Sequence, residues 1–108
     1  MYIHSVVTLN TVAARVASVE FEWDEPKRLS NIAKHDVDFR NAIVFFENPH
    51  VAEKSRFAGN EQRWLAMGTI DNRYATTVFT RRGEDMRIIS MRRSRNGEKR
   101  RYQALYLG

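Results

Sequence analysis

Residues 63–93 read RWLAMGTIDNRYATTVFTRRGEDMRIISMRR, and this stretch decides the fold. Apolar and polar residues alternate with a period of two along Arg63 to Ile70, Arg73 to Thr80 and Met86 to Arg93. The middle run is rich in β-branched Thr and Val, which pack well on a pleated surface. Asp71-Asn72 is a tight-turn pair, and Arg82-Gly83-Glu84-Asp85 supplies the next turn. Three runs joined by two short turns predict an antiparallel meander.

Upstream, Val51 to Lys54 reads as a short strand followed by a loop around Gly59. Before it the period lengthens. Asp38 caps a helix through about Phe46, with Phe39, Ala42, Ile43 and Phe46 on its buried stripe, and Asn48-Pro49 stops it. Asp24-Glu25-Pro26 opens an amphipathic helix over 26–35, since acids suit the first turn and Pro gives up no needed N–H there. Leu29, Ile32 and Ala33 give its apolar spacing, and Asp36 to Asp38 make the break. Phe21 to Asp24 is a short strand. Downstream, Asn96-Gly97 caps a last helix from Glu98 to Leu107, with Tyr102, Leu105 and Tyr106 on one stripe. The order β-α-α-β-β-β-β-α makes an α+β domain, its mainly antiparallel sheet packed against helices. Trp23, Phe45, Phe46 and Trp64 belong to the core.

Residues 1–19 stand apart, with Arg15 their only charged residue. Val12, Ala13, Val16 and Ala17 have a weakly helical spacing, and neither a secretory signal nor a mitochondrial presequence fits. The expectation is a loosely held extension, or a start codon placed too far upstream. The domain proper then spans 20–108. A length of 108 residues with 43% hydrophobic residues suits one domain with a real core. No apolar run approaches the ~20 residues that cross a bilayer. The chain has no cysteine, which removes disulfides, a thiolate nucleophile and Cys-ligated zinc, and suits the cytoplasm.

The net charge of +5 is unevenly placed. Residues 1–80 hold nine Lys and Arg against ten acids, whereas residues 81–108 hold nine against three. Eight of those last nine bases are Arg, whose planar fork grips phosphate bidentately. The simplest partner is a polyanion such as RNA or DNA, and the alternative is a basic face that is solvated or meets an acidic protein.

Four groups of residues carry candidate chemistry, each beside a plainer reading. Arg92 and Arg93 close the last strand and face opposite sides of the sheet, so one at most enters a given cleft. Alternation sets Met86, Ile88, Ser90 and Arg92 on one face, with Arg87, Ile89, Met91 and Arg93 on the other. Lys34-His35 ends the first helix, where the dipole favours cations; the functional reading gives Lys34 a phosphate and His35 a proton to transfer. Glu61 shares a face with Arg63, as an exposed ion pair or as a base beside a phosphate ligand. Tyr102 either packs in the core, or stacks on a base or donates a proton. His4 and His50 have no metal-ligand spacing with His35. No Gly-rich phosphate loop, Ser-His-Asp order or acidic metal pair is present. Hydrolysis by this inventory suits RNA, whose 2′-OH is an internal nucleophile; the protein need only move protons and stabilise charge.

Phe21-Glu22-Trp23-Asp24-Glu25, Lys27, Asn31, Lys34-His35, Val37 and Phe39 together resemble the opening of the BrnT toxins of bacterial type II toxin–antitoxin systems. Phe46, Pro49, Glu61-Gln62-Arg63-Trp64, Gly68, Val78-Phe79-Thr80, Arg87-Ile88-Ile89-Ser90, Arg92-Arg93 and Tyr102 continue the resemblance in order. It implies a RelE-like fold and a metal-independent endoribonuclease that inhibits translation, with no cofactor. It implies a BrnA-like antitoxin with a ribbon-helix-helix domain, contact with operator DNA through that antitoxin, and room for a toxin dimer in the complex. The alternative is a non-catalytic RNA- or antitoxin-binding module that serves as an operon co-repressor. The active-site candidates carried over are Lys34, His35, Glu61, Arg63, Arg81, Arg92, Arg93 and Tyr102. Two departures stand out. Asp36 occupies a position where such proteins usually have Gly, and residues 1–19 have no counterpart.

Overall fold

The computed structural model describes residues 3–8, 11–16 and 19–107, with the first two segments and Leu107 described as backbone. Strands β1 (Ile3–Thr8), β2 (Thr11–Val16) and β3 (Val19–Asp24) come first. Helix α1 (Glu25–His35), a 3-10 turn (Phe39–Asn41) and helix α2 (Ala42–Glu47) follow. Then come β4 (Val51–Ala58), β5 (Glu61–Ile70), β6 (Arg73–Arg82), β7 (Asp85–Arg93) and helix α3 (Asn96–Tyr102). From residue 19 onward this is the expected β-α-α-β-β-β-β-α order. The spatial order of the sheet is β1-β2-β3-β7-β6-β5-β4.

The expectation of a mainly antiparallel sheet is corrected: the sheet is mixed, because β3 pairs parallel to β7. That pairing covers only Phe21↔Met86 and Glu22↔Arg87. Asp24 then accepts from the Lys27 N–H and turns the chain into α1, ending the strand. Beyond Arg87 a helix therefore lies where a neighbouring strand would be. The buried Asn31 amide takes over the ladder there. Its Nδ2 donates to Met91 O at 2.7 Å and Val37 O at 2.9 Å, and its Oδ1 accepts from Met91 N at 3.4 Å.

The weakly helical reading near the N-terminus is corrected as well. Val12, Ala13 and Val16 lie in β2, which pairs antiparallel with β3 and with β1. Ala17, and the remainder of that segment at 1–2, 9–10 and 18, lies outside the described residues.

Helix α1 ends at Asp36, whose left-handed φ of 56° lets its N–H reach Ile32 O. Asp38 caps the 3-10 turn rather than a full helix, and α2 starts only at Ala42. Asp71 and Asn72 both have positive φ, 51° and 63°, the conformation a two-residue hairpin demands. Strand β4 runs four residues past its expected end at Lys54. The last helix is shorter than expected: α3 stops at Tyr102 and a π-type turn, Gln103–Leu107, follows. Tyr102 is buried, but Leu105 and Tyr106 are exposed, so the expected stripe does not form.

One face of the sheet meets α1 and α2. Phe21, Trp23, Phe39, Phe45, Phe79, Ile88 and Met91 pack there, and Trp64 and Phe46 lean on them. Burying each large side chain of this set contributes roughly 1.5–3 kcal/mol. The other face carries α3, fixed by Tyr102 against Tyr74 and by Glu98 against Thr76. Ile88 and Met91 share the core although three positions apart. Val78 opposes Ser90 while Phe79 opposes Ile88, so Ile89 is the extra residue of a β-bulge. The bulge overturns the expected alternation: Met91 and Arg93 join the face of Ile88, and Ser90 joins Arg92 opposite.

Candidate functional site

The α3 face of the sheet is built in rungs. Arg63, Thr80, Arg87 and Glu22 oppose one another across β5, β6, β7 and β3. The next rung, toward α3, is Leu65 and Val78 with Ser90. Thr76 and Arg92 form a third, which α3 covers through Glu98. Between the first rung and α3 the floor is open. This leaves a cleft of about 520 Å³ on Leu65, Val78, Ile89 and Ser90. Its walls carry Arg56 and Ser55 from β4, Arg63 from β5, Arg92 from β7, and Arg95, Glu98 and Arg101 from α3 and its cap.

Five arginines thus meet one carboxylate, and that carboxylate is fully engaged. Glu98 accepts from Arg92 Nη1 and Nη2 at 2.7 and 2.9 Å, from Arg95 N at 2.8 Å and from Thr76 Oγ1 at 2.9 Å. The Arg92 guanidinium, outweighing the cost of burial, holds the Glu98 carboxyl down at about 2. The same pair raises Arg92 above its ordinary value. A carboxylate held so low binds protons too weakly to act as a base near neutrality. Glu98 instead fixes Arg92 and the first turn of α3. Arg101 reaches Glu53 at 3.0 Å. Arg56, Arg63 and Arg95 have no ion-pair partner among the described residues. The buried Arg63 Nε and the buried Thr80 Oγ1 opposite it have no hydrogen-bond partner either. An arginine-lined cavity with unspent donors suits a phosphate.

The structure divides the sequence-derived candidates between the two faces. Arg63 and Arg92 enter the cleft. Glu61 lies on the Arg63 side and pairs with Arg82 at 3.9 Å, not with Arg63. Arg82 and Arg87 in turn reach Glu22 at 3.2 and 3.3 Å, which ties the outer rim into one ionic chain. Arg81 is on the opposite face, its guanidinium carbon 4.5 Å from the Trp64 ring centroid. Arg93 opposes the core residue Ala75 and is exposed away from the cleft. Tyr102 is buried between Tyr74 and Tyr106, and burial pushes its hydroxyl upward. Lys34 and His35 line a second cleft of about 280 Å³, shared with Lys27, Ser30, Asn31, Ile89 and Ser90. His50 sits elsewhere, in an apolar pocket against Phe46.

Arg56, Arg95 and Arg101 were not among the candidates. The basic run after residue 80 was the signal for the last two. Arg56 gave none, because the strand that presents it was expected to end at Lys54. Among the described residues, no three His, Asp or Glu side chains gather as an ion site. No helix there is long and apolar enough to cross a membrane.

A family model described as the ribonuclease toxin BrnT of type II toxin–antitoxin systems matches residues 23–98. Neither a curated protein nor a solved structure matches the chain. The matched span holds both basic clefts except Arg101, and it excludes β1 and β2.

Proposed function

The chain belongs to the BrnT family of ribonuclease toxins of type II toxin–antitoxin systems, and from that premise we propose that it is a metal-independent endoribonuclease of RelE-like topology. The observation that carries this reading is the arginine-lined cleft whose only carboxylate among the described residues is neutralised internally. A phosphodiester in the cleft meets Arg63 and Arg92, with Arg56 and Arg95 on its walls. Charge that develops on the phosphate in the transition state is stabilised there. The 2′-OH of the substrate attacks the adjacent phosphorus and the 5′-oxygen leaves, so one group removes a proton and another returns one. Glu61 on the rim and His35 across Ile89–Ser90 are the candidates for those two tasks, with Lys34 beside His35 on a phosphate.

A type II toxin implies a protein antitoxin. We take that partner to be BrnA-like, with a ribbon-helix-helix domain that carries the complex to operator DNA. The free toxin would act in the cytoplasm and inhibit translation, through the domain that spans 20–108.

The test is incubation of the purified chain with RNA in excess EDTA. Cleavage is expected, and Arg63→Ala should lower it by roughly 10²–10³-fold, the usual effect of losing one charge-stabilising donor. Retained far-UV circular dichroism excludes unfolding. Intact RNA at high protein concentration would refute the reading. One observation favours the second reading, a non-catalytic co-repressor: among the described residues the arginine cleft itself holds no uncommitted carboxylate or imidazole. In that case the protein binds RNA or antitoxin without cutting.

A further inference from the structure

The two basic clefts share Ile89 and Ser90. Two features of the fold make that contact. The bulge at Ile89 breaks the alternation of β7, so consecutive residues there serve both clefts. The early end of β3 leaves this part of β7 without a neighbouring strand, and α1 lies along it.

Along α1, Lys27, Ser30 and Lys34 are spaced i, i+3 and i+7, hence on one face, and all three are exposed. Neither lysine ammonium has a partner among the described residues. The acids nearby are committed elsewhere: Asp24 to the Lys27 N–H, Glu25 to Arg28, and Asp38 to Arg28 and Arg40. Asp36 lines neither cleft.

We propose that Lys27, Ser30 and Lys34 form a second station for the RNA backbone, continuous with the arginine cleft across Ile89–Ser90, so that one single strand is held over both. The inference rests on the RNA reading and deepens it. The arginine cleft holds one phosphodiester, and the α1 station holds a phosphate further along the same strand. Lysine ammonium groups and a serine hydroxyl suit this role, because they hold a phosphate without fixing its geometry. Length of substrate, rather than base identity, is then what α1 reads.

The test uses the full chain and 2′-O-methyl oligoribonucleotides, which cannot be cleaved, of three and of ten nucleotides. Binding is followed by fluorescence anisotropy over a range of salt. Lys27→Glu is the variant, since an acid in the first turn of a helix is favoured and the fold is kept. Its affinity for the ten-mer should fall about tenfold, the loss of one charge-assisted contact. Its salt slope should fall by about 0.7, the value for one phosphate on a single strand. The three-mer should bind within about twofold of the parent. Arg73→Glu, on the β5–β6 hairpin outside both clefts, makes the same change of charge and should leave both oligomers unaffected. Equal losses for both lengths, no loss for either, or an equal loss from Arg73→Glu would overturn the second station. Failure of the unaltered chain to bind either oligomer would overturn the RNA reading and the station with it.

Discussion

Replacing Glu98 by Gln tests how far the cleft depends on its own carboxylate. Glu98 is 5% exposed and takes two bonds from Arg92, one from the Arg95 N–H and one from Thr76. Its pKa falls from an ordinary 4.5 to about 2 in the folded chain. A depressed carboxyl contributes stability that is complete above the unfolded value and is lost as pH falls toward the folded one. The shift corresponds to about 3 kcal/mol at pH 7, of which about 1 kcal/mol remains at pH 3. Breaking such a pair also leaves the Arg92 charge uncompensated, which is costly in a buried setting. Urea unfolding of the parent and Glu98→Gln should therefore differ by about 3 kcal/mol at pH 7, and by about 2 kcal/mol less at pH 3. Other titrating groups cancel in the difference. A gap that stays constant between the two pH values would refute the assignment of charge as the cause. A gap below about 1 kcal/mol at pH 7 would place the pair among surface ion pairs.

Asn31→Leu leaves Met91 and Val37 backbone groups without partners in a buried site, and urea midpoints should register a loss of about 3 kcal/mol. Gly68→Ala sets a Cβ 3.1 Å from a Phe45 ring carbon and 3.2 Å from His50 Cβ. Phe45 is fully buried, so thermal unfolding should show a loss of about 1–3 kcal/mol. Asp36→Gly relieves a left-handed residue at the end of α1 and should stabilise by up to about 1 kcal/mol in the same assay. Arg81→Ala removes a cation from the Trp64 face, costing about 0.5–1 kcal/mol, and should leave RNA cleavage within about twofold of the parent, unlike Arg63→Ala.

The meander, both early helices and the turns were legible because each depends on neighbours in sequence. Asp71-Asn72 adopts the turn its side chains favour, and Asp24 caps the helix it precedes. What could not be read was non-local. Nothing within Phe21 to Asp24 announces a parallel partner more than sixty positions away, yet that pairing makes the sheet mixed. The bulge at Ile89 lies among ordinary β-formers, without a glycine to mark it. Alternation correctly separated Arg92 from Arg93, but only the packing of α3 decides that Arg92 meets Glu98. Lys34 and His35 were found as a pair at a helix end; their position beside a second cleft depends on where α1 lies against β7.

The extra residue in β7 gives the last residues of that strand a reading frame of their own. Arg92 faces the cleft and Met91 the core because Ile89 is bulged out of the pairing between Phe79–Ile88 and Val78–Ser90. Loss of the single codon for Ile89 would leave a regular ladder in which every later residue keeps its partner and its face. Were Ile89 instead drawn into regular pairing opposite Val78, Met91 would turn toward the cleft, Arg92 toward the aromatic core, and Arg93 toward the side of Glu98. Ile89 is therefore the position at which β7 best absorbs a one-residue deletion, while the bulge itself is what keeps Arg92 in the cleft.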